Sequence, residues 1–322
     1  MITKILNNTF IQYFITGLLL LGAMLCIFTP SSYFFKSMSE YAVQMMFGYL
    51  FLGLFFLLSK QPKLMFVSFI ACSFLAIHLK INTNADLKTP GVIQDQAIIE
   101  VALVDVSNIN EDFEGTLDAM LTSDASLLAV PDIDPFLYEY LKDTLSNQFP
   151  YCTPRVGFDP AITVFSKYEI FNQDTFFVEG LPNIMGSIKA EGNGRELYFV
   201  TSSTLPPFYS RDYDKLKKLL ERVANKAKAV NAPVITLADY NLVQWSDEIY
   251  DFRAMAKLKD SRRGFSPAAK TGNLLSGFLD SPSSHIFFSE HFTCTGFENL
   301  RSSNSTYLGV KGSFQFSPIL LQ

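Results

Sequence analysis

Imidazole is scarce in this sequence: 322 residues hold three histidines, His78, His285 and His291. Cysteine is scarce too, with four residues and none at a metal-ligand spacing. Cys26 and Cys72 lie in apolar runs, whereas Cys152 and Cys294 share the later part of the chain and would pair only if the fold brought them together in an oxidising compartment. No internal repeat and no low-complexity stretch appears, which excludes solenoid architectures. Basic charge is short after residue 80: residues 1–80 carry five Lys against Glu40, a balance of +4, so the net −5 of the whole chain leaves −9 for the remainder. An acidic domain is a poor clamp for a polyanion, because nucleic-acid binding draws on a basic face that releases counterions. The densest cationic cluster, Lys215, Lys217, Lys218 and Arg222, is interleaved with Asp212, Asp214 and Glu221 and reads as a solvated helix face. Nucleic acid is not an expected partner.

Apolar residues are plentiful, at 48%, and the excess sits at the front. Three runs without charge, residues 11–28, 41–58 and 64–79, predict three transmembrane helices in a membrane domain of residues 1–80. Lys4 precedes the first run and Lys60 and Lys63 lie between the second and third, while Lys36 in the first connection is balanced by Glu40. The positive-inside rule then puts the amino terminus and the second loop in the cytoplasm and everything after Lys80 on the far side of a bacterial inner membrane. Gly17, Gly22, Ala23, Gly48 and Gly53 suit close helix approach. The bilayer is thus one expected partner, and a membrane or extracytoplasmic protein another. Residues 81–95, containing the polar run NTNADLKTPG, read as a tether with a Pro-Gly turn.

Residues 96–322 alternate short apolar runs with amphipathic stretches. Strands are expected at 98–106, 127–130, 161–165, 197–201, 233–238, 285–289, 291–300 and 308–316, and helices at 113–121, 134–146, 211–230 and 246–258. Leu216, Leu219, Leu220, Val223 and Ala227 mark one face of the longest of these helices. Strands interleaved with helices over this length predict one α/β domain of layered sheets.

The stretch PVITLADYNLVQWSDEIYDFRAMAKLKDSRRG, from Pro233 to Gly264, carries the most chemistry. An apolar strand runs out into Asp239-Tyr240-Asn241, and period-2 geometry sends Asp239 and Asn241 the same way. A carboxylate and a carboxamide so placed suit a water, a metal or a phosphate oxygen; they equally suit capping of the turn that follows. This segment resembles the Asp-x-Asn motif of the endonuclease/exonuclease/phosphatase superfamily, with its following Trp-Ser and Asp-Ser-Arg-x-Gly-like stretch. The resemblance extends over residues 98–316 and implies a four-layered α/β sandwich (DNase I-like) preceded by the three membrane helices. It also implies a Mg²⁺-dependent phosphoester-cleaving site at one edge. Asp105-Val106-Ser107-Asn108-Ile109-Asn110 looks like the family's Asn-Val-x-x-x-Asn, and Val130-Pro131-Asp132 like its metal-holding Leu-Gln-Glu. On this resemblance Asp132, Asp239 and Asp105 are the metal candidates, and Asp239, Asn241 and His285 the catalytic candidates.

The departures from the motif are as telling. Ser203, in Ser202-Ser203-Thr204-Leu205-Pro206-Pro207, stands where the family has His; Ser283-Ser284-His285-Ile286 loses the carboxylate of Ile-Asp-His-Ile; and Ser305-Thr306-Tyr307-Leu308-Gly309 loses both Asp and His of the terminal motif. Neither Ser nor Tyr replaces imidazole as a proton carrier near neutral pH. The expectation is therefore an extracytoplasmic domain of this superfamily that is catalytically impaired and serves as a binding or assembly subunit. The alternative is a divergent Mg²⁺-dependent phosphoesterase (phosphodiesterase) acting on a membrane-proximal or extracytoplasmic phosphoester.

Overall fold

The computed structural model describes residues 6–29, 33–93, 96–106, 109, 112–189, 194–264, 282–304 and 306–317. Four helices come first: α1 (Thr9–Ile27), α2 (Tyr33–Glu40), α3 (Ala42–Leu58) and α4 (Pro62–Asn82). Asn8 caps α1 by accepting from the Phe10 and Ile11 amides, and Pro62 opens α4 at a position where the missing N–H costs nothing. Two of these helices, α1 and α4, are long and apolar enough to cross a bilayer, not the three expected. The middle one, α3, has 17 residues, about 25 Å at 1.5 Å per residue and short of a 30 Å hydrocarbon core. It stops where Lys60 takes a left-handed φ of 56° and the Gln61 amide returns to the Phe56 carbonyl at 2.8 Å. The third run, the shortest in sequence, becomes the longest of the four helices, because helical geometry continues through the polar Lys80-Ile81-Asn82.

The apolar helices pack as a bundle. Gly22 lies against the Tyr49 hydroxyl, which donates to the Leu19 carbonyl at 2.8 Å, and Gly53 lies against the Phe69 ring; a Cβ at either would collide. Gly17 and Gly48 have open space instead. Gln12 donates to Gln61, and Gln61 to Asn7, tying the start of α1 to the α3–α4 turn. The end of α1, α2, the start of α3 and the end of α4 therefore lie together at the other end of the bundle.

Thirteen strands among the described residues form two mixed sheets. One has the order β12 (Phe292–Arg301), β13 (Tyr307–Phe316), β1 (Ile99–Val104), β2 (Leu127–Pro131), β5 (Ala161–Ser166), β3 (Tyr151–Cys152), with β4 (Val156–Gly157) also on β5. The other runs β10 (Lys259–Asp260), β11 (Ser284–Phe288), β9 (Val234–Asp239), β8 (Glu196–Ser202), β7 (Leu181–Lys189), β6 (Ile170–Val178). Period-2 alternation sorts their side chains into two sets. Val101, Leu103, Leu127 and Ala129 face Ile184, Phe199, Ile235 and Leu237 between the sheets. Ala102, Val104, Leu128 and Val130 face outward onto α5 (Phe113–Thr122) and α6 (Pro135–Thr144). Val200, Val234 and Ala238 face outward onto α7 (Ser210–Ala229) and α8 (Asp247–Ala256). Two helical layers enclosing two sheets make the four-layered sandwich.

Cys152 and Cys294 are both free thiols, the first packed on the α6 side and the second in the inter-sheet core. The β6–β7 hairpin has no counterpart among the expected strands. β6 is an edge strand whose centre, Asn172 to Thr175, is polar and exposed, so it shows no apolar alternation. At Gly309 φ is +149° and the Leu103 carbonyl occupies the space of a Cβ, so β1 and β13 pair closely only because glycine stands there.

The helical bundle is docked on the sandwich. Trp245, the sole tryptophan, is buried among the apolar helices and its indole N–H donates to the Ser39 carbonyl at 2.7 Å. Lys36 Nζ lies 2.7 Å from Glu248 Oε1, an ion pair with both side chains out of solvent. Arg253 donates to the Asn82 carbonyl, and Asn84 to that of Asp260.

Candidate functional site

Parallel pairing brings two pairs of strand ends to one edge of the sandwich, β1 with β2 and β8 with β9. Asp105 follows β1, Asp132 follows β2, Ser203 and Thr204 follow β8, and Asp239 closes β9. The starts of β11 and β13 add Ser283, Ser284 and Tyr307, since Ser284 pairs with Asp239 and Gly309 with Val104. Asp132 and Asn241 hold left-handed backbone, φ 56° and 53°, a sparsely populated conformation, each just after a strand leaves its own sheet at this edge.

Asp239 Oδ1 accepts from the Asn241 amide at 2.9 Å, and Oδ2 accepts from the Ser283 and Ser284 hydroxyls at 3.2 and 3.1 Å. Thr204 Oγ1 donates to the Asp239 carbonyl at 2.7 Å and accepts from the Asn241 side-chain amide at 3.1 Å. Asp239 and Asn241 thus share one network, in which Asp239 caps the turn that follows it while the Asn241 side chain bonds across to Thr204. Across the gap between the sheets, Ser203 Oγ donates to Asp132 Oδ1 at 2.8 Å. The Asp132 side chain is open to solvent on its outer side, yet crowding by protein on the inner side pushes its carboxyl up to about 6; the Ser203 hydroxyl opposes that rise, and the charges of Asp105, Asp239 and Asp159 add to it.

Tyr307 is the residue sequence reasoning treated only as a loss. Its hydroxyl is out of solvent and makes no hydrogen bond of ordinary geometry among the described residues, although the Ser284 hydroxyl is near enough to favour the phenolate. Desolvation pushes the phenol up to about 12, with Arg262 and Ser284 opposing and Asp239 and Asp105 adding. At neutral pH this side chain is a donor and not a base. Arg262 itself is buried, with its guanidinium over the Phe297 ring and its Nε unpaired among the described residues. The signal for it was present in Asp260-Ser261-Arg262, which the sequence offered as a motif without a role.

His285 does not come to this edge. Ser284 faces Asp239, so the next residue of the strand must face the opposite way, into the α7–α8 layer. There His285 is fully buried, stacked on Phe287, with Nε2 2.8 Å from the Leu242 carbonyl and Nδ1 3.4 Å from Asp260 Oδ2. The expectation of a catalytic imidazole at His285 is corrected by strand geometry. His291 lies beyond the far end of the same strand, its Nδ1 3.2 Å from Ser289 Oγ. Ser107, Asn108, Asn110 and Ser305 lie outside the described residues.

Mg²⁺ wants a near-octahedral shell of oxygens. Asp105, Asp132 and Asp239 supply the right atoms, but among the described residues no three acidic, His or Cys side chains stand close enough to share an ion. Both Asp239 oxygens already accept from the protein's own donors. As arranged, the residues do not fit a tightly held Mg²⁺.

No family model and no curated protein matches the sequence. Solved structures match by shape over the sandwich. An endonuclease/exonuclease/phosphatase from Beutenbergia cavernae superposes with a TM-score of 0.57 at 12% identity, covering 68% of this chain and 72% of that one. The fold is that of the endonuclease/exonuclease/phosphatase proteins. A family protein from Bacteroides thetaiotaomicron gives 0.55 at 17% identity, over 69% of this chain and 99% of its own. A mannosyl-6-phosphatase from the same organism gives 0.54 at 16%, over 68% and 100%. At such identities the likeness establishes architecture, and chemistry has to be argued from the site.

Proposed function

We propose that this chain is a membrane-anchored, extracytoplasmic protein of endonuclease/exonuclease/phosphatase fold that binds at its strand-end site or assembles with a partner and does not hydrolyse phosphoesters efficiently. The observation that carries this reading is the composition of the edge: hydroxyls and carboxylates bonded to one another, with His285 turned to the opposite face of its strand. Efficient cleavage needs a group that takes up and returns a proton near neutral pH. Tyr307, at about 12, does not qualify; Asp132, at about 6, is raised toward that range and is the acid–base group the second reading would use.

Anchoring is supported by α1 and α4, with α3 packed along them and its apolar side chains, Phe51 and Leu58 among them, turned outward. In this reading the bundle end holding the α3–α4 turn, with Lys60 and Lys63, faces the cytoplasm, and the docked sandwich lies on the other side of a bacterial inner membrane.

What supports a second reading, a divergent Mg²⁺-dependent phosphoesterase, is that Asp105 and Asp239 lie near enough to Asp132 to raise its carboxyl, although the three do not close around an ion in this arrangement. The two are separated by assaying the full-length protein in bilayers with a generic phosphodiester and a phosphomonoester, with Mg²⁺ or Mn²⁺, beside Asp239→Ala. Background turnover in both proteins is expected. Turnover in the parent that disappears in Asp239→Ala would overturn the binding role and establish an enzyme.

A further inference from the structure

The sandwich places its most exposed apolar side chains together. Among the described residues after 98, the large apolar and aromatic side chains more than half exposed are Phe136, Phe158, Phe177, Leu205, Phe208 and Tyr209, with Phe158 at 96% and Phe136 at 82%. Strand pairing puts all six at one end. Phe136 enters α6 directly after the Asp132 loop, whose Asp134 caps that helix. Phe158 precedes β5, whose first residue, Ala161, accepts from the Asp132 amide. Arg155 pins that loop by donating to the Ile133, Gly157 and Phe158 carbonyls. Phe177 is paired with Pro182, whose carbonyl accepts from the Ser203 amide. Leu205, Phe208 and Tyr209 continue the chain from Ser203 and Thr204. Four separate loops thus ring the Asp132–Asp239 site with apolar groups, at the end from which Val243 and Trp245 reach into the helical bundle.

We propose that this end of the sandwich rests on the bilayer surface, its six rim side chains entering the interface and the Asp132–Asp239 site opening toward lipid head groups. The proposal rests on the anchoring reading above. Continuity identifies the occupant: the loop after Asp239 is seated on helices whose outward faces are apolar, so the bilayer that surrounds those helices begins beside the rim. Aromatic side chains are the type that settles at the head-group boundary. The attraction is apolar, because the chain after residue 80 carries a net −9 and so has no excess of positive charge to draw it to anionic lipid.

The full-length chain in phosphatidylcholine vesicles containing brominated acyl chains tests this. Single replacements Phe158→Trp, Phe208→Trp, Phe51→Trp and Tyr151→Trp are made in a Trp245→Phe background, and also with Trp245 kept and the parent emission subtracted, so that loosened docking does not decide the result. Phe51 is exposed on α3, and Tyr151 is exposed at the opposite end of the sandwich. A group seated about 5–10 Å into the boundary comes within reach of the brominated chains and loses emission. The expected pattern is strong quenching at positions 51, 158 and 208 and none at 151. Quenching at 51 alone would overturn the rim proposal and leave anchoring intact. No quenching at any position would overturn both.

Discussion

Asp132 carries a charge that its surroundings oppose. Its folded-state carboxyl lies at about 6, above the ordinary 3.8, so the native state holds this proton more tightly than the unfolded chain. The stabilisation from that proton is complete below pH 3.8 and is lost as pH rises through about 6. Asp132→Asn, which keeps an oxygen for the Ser203 hydroxyl, should match the parent in thermal unfolding below pH 3.8 and exceed it above pH 6. Because the side chain is open to solvent, the gain is no more than about 2 °C; equal midpoints across the whole range would show that the charge is not opposed. At this scale Asp239 and Asn241 were legible, since an apolar run ending in polar residues marks a strand end. His285 misled because a motif reads as adjacent letters, whereas a strand sends adjacent residues to opposite faces. The environment of Tyr307 was illegible, because its neighbours Asp105, Asp239 and Arg262 come from three separate segments.

Elements meet at the contact of α2 with α8. Lys36 and Glu248 are paired with both side chains buried, and removing one partner of such a pair costs about 3–5 kcal/mol when the remaining charge has no other partner; Lys217 Nζ, 3.9 Å from the same Glu248 oxygen, keeps the cost of losing Lys36 below that range. Lys36→Met should therefore loosen the bundle from the sandwich, seen as a red shift of the Trp245 emission at lower denaturant than in the parent. Lys36→Met combined with Glu248→Leu should restore most of the loss, because an apolar pair of similar volume has no charge to desolvate. A double variant no better than the single would mean that the ion pair itself holds the junction. The helices and buried strands were readable from periodicity, each having a face committed to a core. The β6–β7 hairpin was not, because an edge strand has fewer neighbours to dictate its pattern. Helix lengths also escaped: hydropathy ranked the third apolar run shortest, but backbone geometry continues past the apolar residues at its end and stops α3 at Lys60.

For the whole molecule, the bundle and the sandwich are joined at one end only, so the orientation of the helices fixes the side on which the domain lies. Protease added to sealed right-side-out vesicles should digest the sandwich, and inverted vesicles should protect it; the reverse pattern would put the domain in the cytoplasm and overturn the lysine-based orientation. The layered architecture was visible in the alternation of elements, while the docking was not, because nothing in the letters around Trp245 announces a binding partner two hundred residues upstream. That separation, 206 residues between Trp245 and the Ser39 carbonyl it reaches, has a consequence in time. At a synthesis rate of about 5–20 residues per second, the helices wait about 10–40 s for the indole that completes their packing. Throughout that interval the socket for Trp245 is an open apolar surface on the nascent chain, which lipid or a chaperone must cover until the loop arrives.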